Sequence, residues 1–263
     1  MLSAMPDIPR AQDQLFDRRS SAREKYAALV VGRADWASLI AHEFVTLASQ
    51  NIPGALGLVL RRALYPLLLG ACGRNVVFGQ NVVLRHPHKI RIGDDVVVDD
   101  NCLIDAKGDS NRGITIGNRV FIGRNTILSC KNGDIDVEDG ANVGFNCEIF
   151  SASSVRVGAD TLIAAYCYLI GGEHDFSDPS QPVLAQARRS TGVTIGAGAW
   201  LGAGAKILDG VSVGDRAVIG AGAVVRDAVP SGSVAVGIPA RVIGQRASVG
   251  DEPAAAAPGL EHR

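Results

Sequence analysis

The segment LIGGEHDFSDPSQPVLAQARRSTGVTIG, Leu169 to Gly196, sets one histidine, His174, between two acids, Glu173 and Asp175. An imidazole titrates near neutral pH, so it can take a proton from a hydroxyl and return one to a leaving group. A neighbouring carboxylate can orient such a ring or bind a substrate, although exposed loop acids are common. Other candidates for chemistry are weaker. His86 and His88, in RHPHK, have no third ligand placed beside them, and a solvated corner accounts for them better than a metal ion does. Cys72, Cys102, Cys130, Cys147 and Cys167 form no CxxC pair.

The elements that must position His174 are visible as a repeat. Aliphatic residues return every sixth position in triplets: Ile92, Val98, Ile104; Ile116, Ile122, Leu128; Val137, Val143, Ile149; Val157, Ile163, Leu169; Ile195, Leu201, Ile207; and Val213, Ile219, Val225. Between triplets the spacing is 12, 9, 8, 26 and 6, so insertions enter only after every third hexad. Three short faces therefore close one triangular coil, and extra residues are tolerated at one corner. Stacked coils pair as parallel strands about 4.8 Å apart. A second inward position, four residues on, is small and includes Cys102, Cys147 and Cys167. A structural role fits these thiols better than a catalytic one. Cys72, Phe78 and Leu84 carry one degenerate coil at the same spacing.

The spacing predicts three regions: an N-terminal helical segment over 1–70, a solenoid domain over 71–246 with about seven coils, and a flexible tail over 247–263. SAREKYAALVVGRADWASLIAHEFVTLASQ has helical periodicity, and Pro53-Gly54 breaks the chain before a second helix over 55–69. That second helix, with Arg61 and Arg62 beside leucines, has two readings. It could make weak contact with a membrane surface, or it could cap the open strand edge of the solenoid, which is the favoured reading. The two arginines argue against a transmembrane span.

Composition narrows the class. Apolar residues make up 47% of 263 and charged ones 20%, enough for a substantial core. A net charge of -1 gives no reason to expect nucleic acid. No apolar leader opens the chain, and a reduced, cytoplasmic protein is the simplest expectation.

The sequence resembles the hexapeptide-repeat acyltransferases, and within them the galactoside, maltose and polysaccharide O-acetyltransferases. Three stretches carry the resemblance: VRVGADTLIAAYCYLIGGEH, VTIGAGAWLGAGAKILDGVSVGDRAVIGAGAVVRD and the closing VAVGIPARVI. The resemblance implies a left-handed parallel β-helix, although the usual crossover rule would give the opposite hand. It also implies acetyl-CoA as cosubstrate without a metal, and a homotrimer with sites between neighbours. His174 falls on the family's catalytic histidine, so it would act as general base toward an acceptor hydroxyl. The imidazolium would then protonate the departing thiolate, and backbone N–H groups at a coil corner would hold the oxyanion. By the same resemblance Gly202, Ala203, Gly220 and Ala221 would line a groove for the pantetheine arm. Trp200 would pack near that groove, while Arg226 and Arg241 would approach the phosphates. Glu173 and Asp175 are supporting candidates.

The acceptor is expected to be a sugar, a surface-polysaccharide precursor or a related hydroxylated metabolite. Relatives hold simple sugars with an Asn-Phe-Asn stretch and a following acid, whereas this chain has Gly144-Phe145-Asn146 and Ala152. Only Asn146 is kept as an acceptor candidate, which argues against a simple galactoside. The alternatives are an acyl-carrier-protein-dependent or longer-chain acyltransferase, a zinc γ-carbonic-anhydrase-like enzyme, and a silent structural β-helix. The zinc enzyme is disfavoured because His42 and His262 lie outside the coils and His86, His88 and His174 lack the required spacing.

Overall fold

A computed structural model describes residues 16–246; the proposed tail and the first 15 residues lie outside the described part. The fold is a left-handed parallel β-helix of triangular section, as the resemblance implied. The crossover rule concerns connections long enough to hold a helix and does not govern four-residue corners. Three parallel sheets make the faces. The first runs from Ala71–Cys72 to Ser212–Val213, the second from Val77–Phe78 to Ser233–Gly237, and the third from Val83–Arg85 to Val224–Val225. Seven coils are complete. An eighth begins with the Val213–Val229 bridge and ends as Ser233–Gly237 pairs with the antiparallel strand Ala240–Gln245.

Every aliphatic residue of the hexad triplets is buried, as are the small residues four positions on. Register keeps them in columns: Val98 lies beside Ile122, Ile149 beside Leu169, and Leu201 beside Ile219. Cys102, Cys130, Cys147 and Cys167 are buried in the core, and half-buried Cys72 packs against it. Cys102 donates to the Gly123 carbonyl at 3.2 Å, and burial pushes its thiol up to about 11.

Corners need backbone that most residues avoid. Between the second and third faces, positive φ falls in turn on Asn81, Asn101, Asn125, Asn146, Tyr166, Gly204 and Gly222. The asparagines also bond from coil to coil: Asn81 Nδ2 donates to Asn101 Oδ1 at 3.0 Å and Asn125 Nδ2 to Asn146 Oδ1 at 2.9 Å. At other corners a side-chain oxygen accepts from the preceding coil. Asp94 takes the Arg74 N–H at 2.7 Å, and Asp215 takes that of Ala197 at 2.9 Å.

The N-terminal segment caps the first coil end-on. It forms separate helices, Ala22–Tyr26 and Trp36–Val45, each continued by a π turn, because Gly32 takes a left-handed conformation between them. The next helix is Gly54–Leu64, followed by a 3-10 turn Tyr65–Leu67, and so ends earlier than the expected 55–69. Groups on the free edge of the first coil are satisfied one by one. Arg61 donates to Phe78 O at 2.9 Å, Tyr65 Oη to Val82 O at 2.7 Å, and Asn81 N to Gln50 O at 2.9 Å. His42 Nε2 lies 3.3 Å from Leu84 O, and His86 N donates to Val30 O at 2.7 Å. Arg61 is only 1% exposed and also reaches the carbonyls of Ser49 and Ile52.

His86 and His88 are not a solvated corner. Gly32 sits so close that a Cβ there would meet His86 Cδ2 at 2.3 Å and His88 Cε1 at 2.7 Å. His86 is buried, its Nε2 3.1 Å from Ala28 O and its Nδ1 3.6 Å from Asp105. Burial foremost, then the Arg33 charge, lowers His88 to about 4. These histidines are docking contacts for the cap.

Candidate active site

The excursion after Leu169 leaves the stack at the corner between the third and first faces. Its base is clamped by polar contacts. Ser190 Oγ donates to Gly171 O at 2.9 Å and lies 2.6 Å from Ser153 Oγ. Asp209, from the next coil, accepts the N–H groups of Thr191 and Gly192 at 2.8 and 2.9 Å. Beyond the clamp the chain forms a small antiparallel ladder, with Glu173 opposite Arg189 and His174 opposite Arg188. His174 is exposed on this ladder, as is Glu173.

Asp175 is engaged elsewhere than on the imidazole. Its carboxylate accepts the Ser177 N–H at 2.9 Å and Arg189 Nη2 at 2.5 Å. These contacts, the Ser177 backbone first, hold its carboxyl below the usual range. Asp175 therefore stiffens the hairpin that carries His174. Asn146 likewise has a corner to hold, with φ 55° and its side-chain oxygen bonded to Asn125.

The glycine- and alanine-rich corner divides into two roles. A Cβ at Gly202 would meet Ala221 N at 2.6 Å, and one at Gly220 would meet Val236 Cγ1 at 2.7 Å, so the next layer forbids larger residues there. Ala203 and Ala221 point outward and are exposed. The sequence reading missed Gly204 and Gly222, the left-handed residues of this corner. A Cβ on Gly222 would meet nothing within 4 Å, and one on Gly204 only Gly222 atoms at 3.9 Å. Five earlier coils carry Asn or Tyr at this position, so the last two leave backbone bare. The signal was the change from Asn to Gly along a column that becomes visible once the coils are aligned. Trp200, 48% exposed on the second face, borders this corner.

Arg226 and Arg241 converge on one carboxylate. Asp227 lies 3.6 Å from Arg226 and 3.2 Å from Arg241, and all three side chains are more than half exposed. Two guanidinium groups, one just past the third-face strand Val224–Val225 and one on the closing strand Ala240–Gln245, can bind phosphate oxygens once Asp227 yields them. Within one chain, however, His174 and the bare corner occupy different corners, separated by the third face. No group of three or more His, Cys, Asp or Glu suited to a metal occurs among the described residues.

Residues 192–227 match the family described as bacterial transferase hexapeptide, six repeats. Over 133 residues the chain is 31% identical to "Probable acetyltransferase Rv3034c" of Mycobacterium tuberculosis, a match covering 51% of this chain. The matched part spans 44% of that relative's length. Among solved structures the chain is similar to AntD, an N-acyltransferase from Bacillus cereus. A variant of AntD in complex with dTDP-4-amino-4,6-dideoxyglucose and coenzyme A gives a TM-score of 0.53 at 19% identity, covering 72% of this chain and 89% of that one. AntD with dTDP and 3-hydroxybutyryl-CoA gives 0.52 at 18% identity, covering 76% and 91%. These likenesses bear on the fold.

Proposed function

We propose that this chain, a left-handed β-helix carrying the hexapeptide repeat of bacterial transferases, is an O-acetyltransferase. It would move an acetyl group from acetyl-CoA to a hydroxyl of a sugar, a surface-polysaccharide precursor or a related small metabolite. The observation that carries this reading is the bare corner at Gly204 and Gly222, bordered by Trp200, with Arg226 past the next strand and Arg241 on the closing strand gathered on Asp227. A thin pantetheine arm can lie against exposed backbone there, with the nucleotide phosphates meeting the arginines.

His174 acts as general base in this scheme. Its ring nitrogen takes the acceptor's hydroxyl proton as the oxygen attacks the thioester carbonyl. The tetrahedral oxyanion collapses, the C–S bond breaks, and the imidazolium returns the proton to the coenzyme A thiolate. No acyl-enzyme is needed. Because His174 and the bare corner lie at different corners of one chain, the site is completed by a second copy, and the working form is a cytoplasmic homotrimer. The outward column of the second face supports such association: Val77, Val97, Phe121, Leu162, Trp200 and Val218 stand in register, interrupted only by Asn142.

Asn146, occupied in the corner ladder, and buried Ala152, standing where relatives place an acid, both argue against a simple galactoside. The test is acetyl-CoA cleavage, followed by free thiol, across a panel of saccharide and metabolite acceptors. Turnover with an acyl-carrier-protein thioester but not with acetyl-CoA would replace the donor. Stoichiometric zinc with carbon dioxide hydration would replace the reaction.

A further inference from the structure

The N-terminal helices carry their large apolar residues on the side away from the protein. Along Trp36–Val45 and its extension to Gln50, the buried residues are His42, Val45 and Ser49, whereas Trp36, Ile40, Phe44 and Leu47 are each 60–79% exposed. Gly54–Leu64 repeats the inversion. Gly57 and Arg61 face inward, while Leu56 and Val59, with Leu67 just beyond, are 65–70% exposed. Single exposed leucines are ordinary, but a continuous apolar side on two adjacent helices marks a contact surface. Since these helices bond to the free edge of the first coil, that surface closes the end of the solenoid and faces along its axis.

The charges around it indicate what covers it. Each carboxylate of the described cap is held locally. Asp17 accepts from Ser20, Glu24 from Ser21, Asp35 from the Ser38 N–H, and Glu43 from the Tyr26 hydroxyl. The arginines differ: among the described residues Arg18, Arg19 and Arg33 join no ion pair, Arg62 reaches the Asn75 side-chain oxygen at 3.4 Å rather than a carboxylate, and Arg23 lies 4.6 Å over the Trp36 ring. A second copy would bring guanidinium groups against guanidinium groups. An anionic bilayer offers both an apolar interior and phosphates at its surface. No helix among the described residues is long and apolar enough to cross a membrane, so the contact is with the surface.

We propose that the cap seats the protein on an anionic lipid surface. Trp36, Ile40, Phe44 and Leu47 enter the acyl boundary, and Arg33 and Arg62 meet headgroup phosphates. The proposal is independent of the reaction, since no residue of the candidate active site takes part.

Vesicle sedimentation of the full chain tests it, using phosphatidylcholine alone and an equal mixture with phosphatidylglycerol. Binding to the anionic vesicles is expected, weaker by tenfold or more on neutral ones, and lost in W36S/F44S/L47S while circular dichroism and subunit mass are unchanged. A Trp200→Phe background leaves Trp36 as the sole tryptophan, and its emission should shift to the blue on anionic vesicles only. Absence of vesicle binding by the unmodified chain, or an unshifted Trp36 spectrum, overturns the proposal. So does a mass twice that of the trimer by light scattering that the triple substitution halves, because a second assembly would then cover the face.

Discussion

His174 stands opposite Arg188 in a two-stranded antiparallel ladder outside the coil stack. The imidazole therefore rides on a hairpin whose shape depends on polar contacts, while the solenoid core is indifferent to it. His174→Ala is expected to keep the wild-type circular dichroism, melting point and subunit mass. Its turnover of acetyl-CoA should fall by roughly 10²- to 10⁴-fold, the usual worth of a general base. Turnover near wild type would remove His174 from the mechanism.

The bare corner can be filled without touching the core. Gly222 has φ 69° and open space where a Cβ would go. Asparagine tolerates that conformation and already occupies it at Asn146 and Asn125. Gly222→Asn should leave thermal stability within a few degrees of wild type while raising the acetyl-CoA KM about tenfold or more. Unchanged kinetics would place the pantetheine arm elsewhere.

Arg241 gives a donor-specific test. If its guanidinium leaves Asp227 for a coenzyme A phosphate, Arg241→Ala should weaken acetyl-CoA binding by about 1.5–3 kcal/mol, the range for a charge-assisted hydrogen bond. Acetyl-pantetheine, which lacks the nucleotide, should be used almost as before. Equal losses with both donors would make the arginine a structural residue that ties the closing hairpin to Asp227.

The cap predicts a pH dependence. His88 is lowered from 6.5 to about 4, mainly by burial, so the folded state holds it neutral where the unfolded chain would protonate it. Its contribution is complete above 6.5 and is lost as pH falls toward 4. The thermal midpoint should therefore decline across that window, and His88→Gln should flatten the decline. An unaltered slope in that variant would assign the acid sensitivity of this window to groups other than His88. Asp94, held low chiefly by the Arg74 N–H, and Asp139, by the Asn118 N–H, lose their contribution only at still lower pH.

The coils were legible because their rule is local: two residues in six meet the core, one aliphatic and one small, and a register error would turn every aliphatic residue outward. Ile163 and Leu201, 38 residues apart across the longest insertion, could therefore be placed side by side from spacing alone, and they pair in the structure. The histidines of RHPHK were not legible, since their surroundings come from Ala28 and Gly32, more than 50 residues away. Asn146 illustrates the converse. It reads as a possible ligand until its column of left-handed neighbours shows what the backbone requires of it. The hairpin around His174 was hidden for a further reason: its clamps, Ser190 on Ser153 and Asp209 on Thr191, join different coils through polar atoms that no periodicity marks.

The stack also acts as a ruler. The helices seal the first coil, and the chain departs toward His174 after the fifth, so four coil steps separate base from hairpin. At about 4.8 Å per step the level of the His174 hairpin stands roughly 20 Å above the base. Adding or deleting one coil between them would change that height by a single fixed increment while preserving every inward column. Reach, in such a molecule, is set by counting.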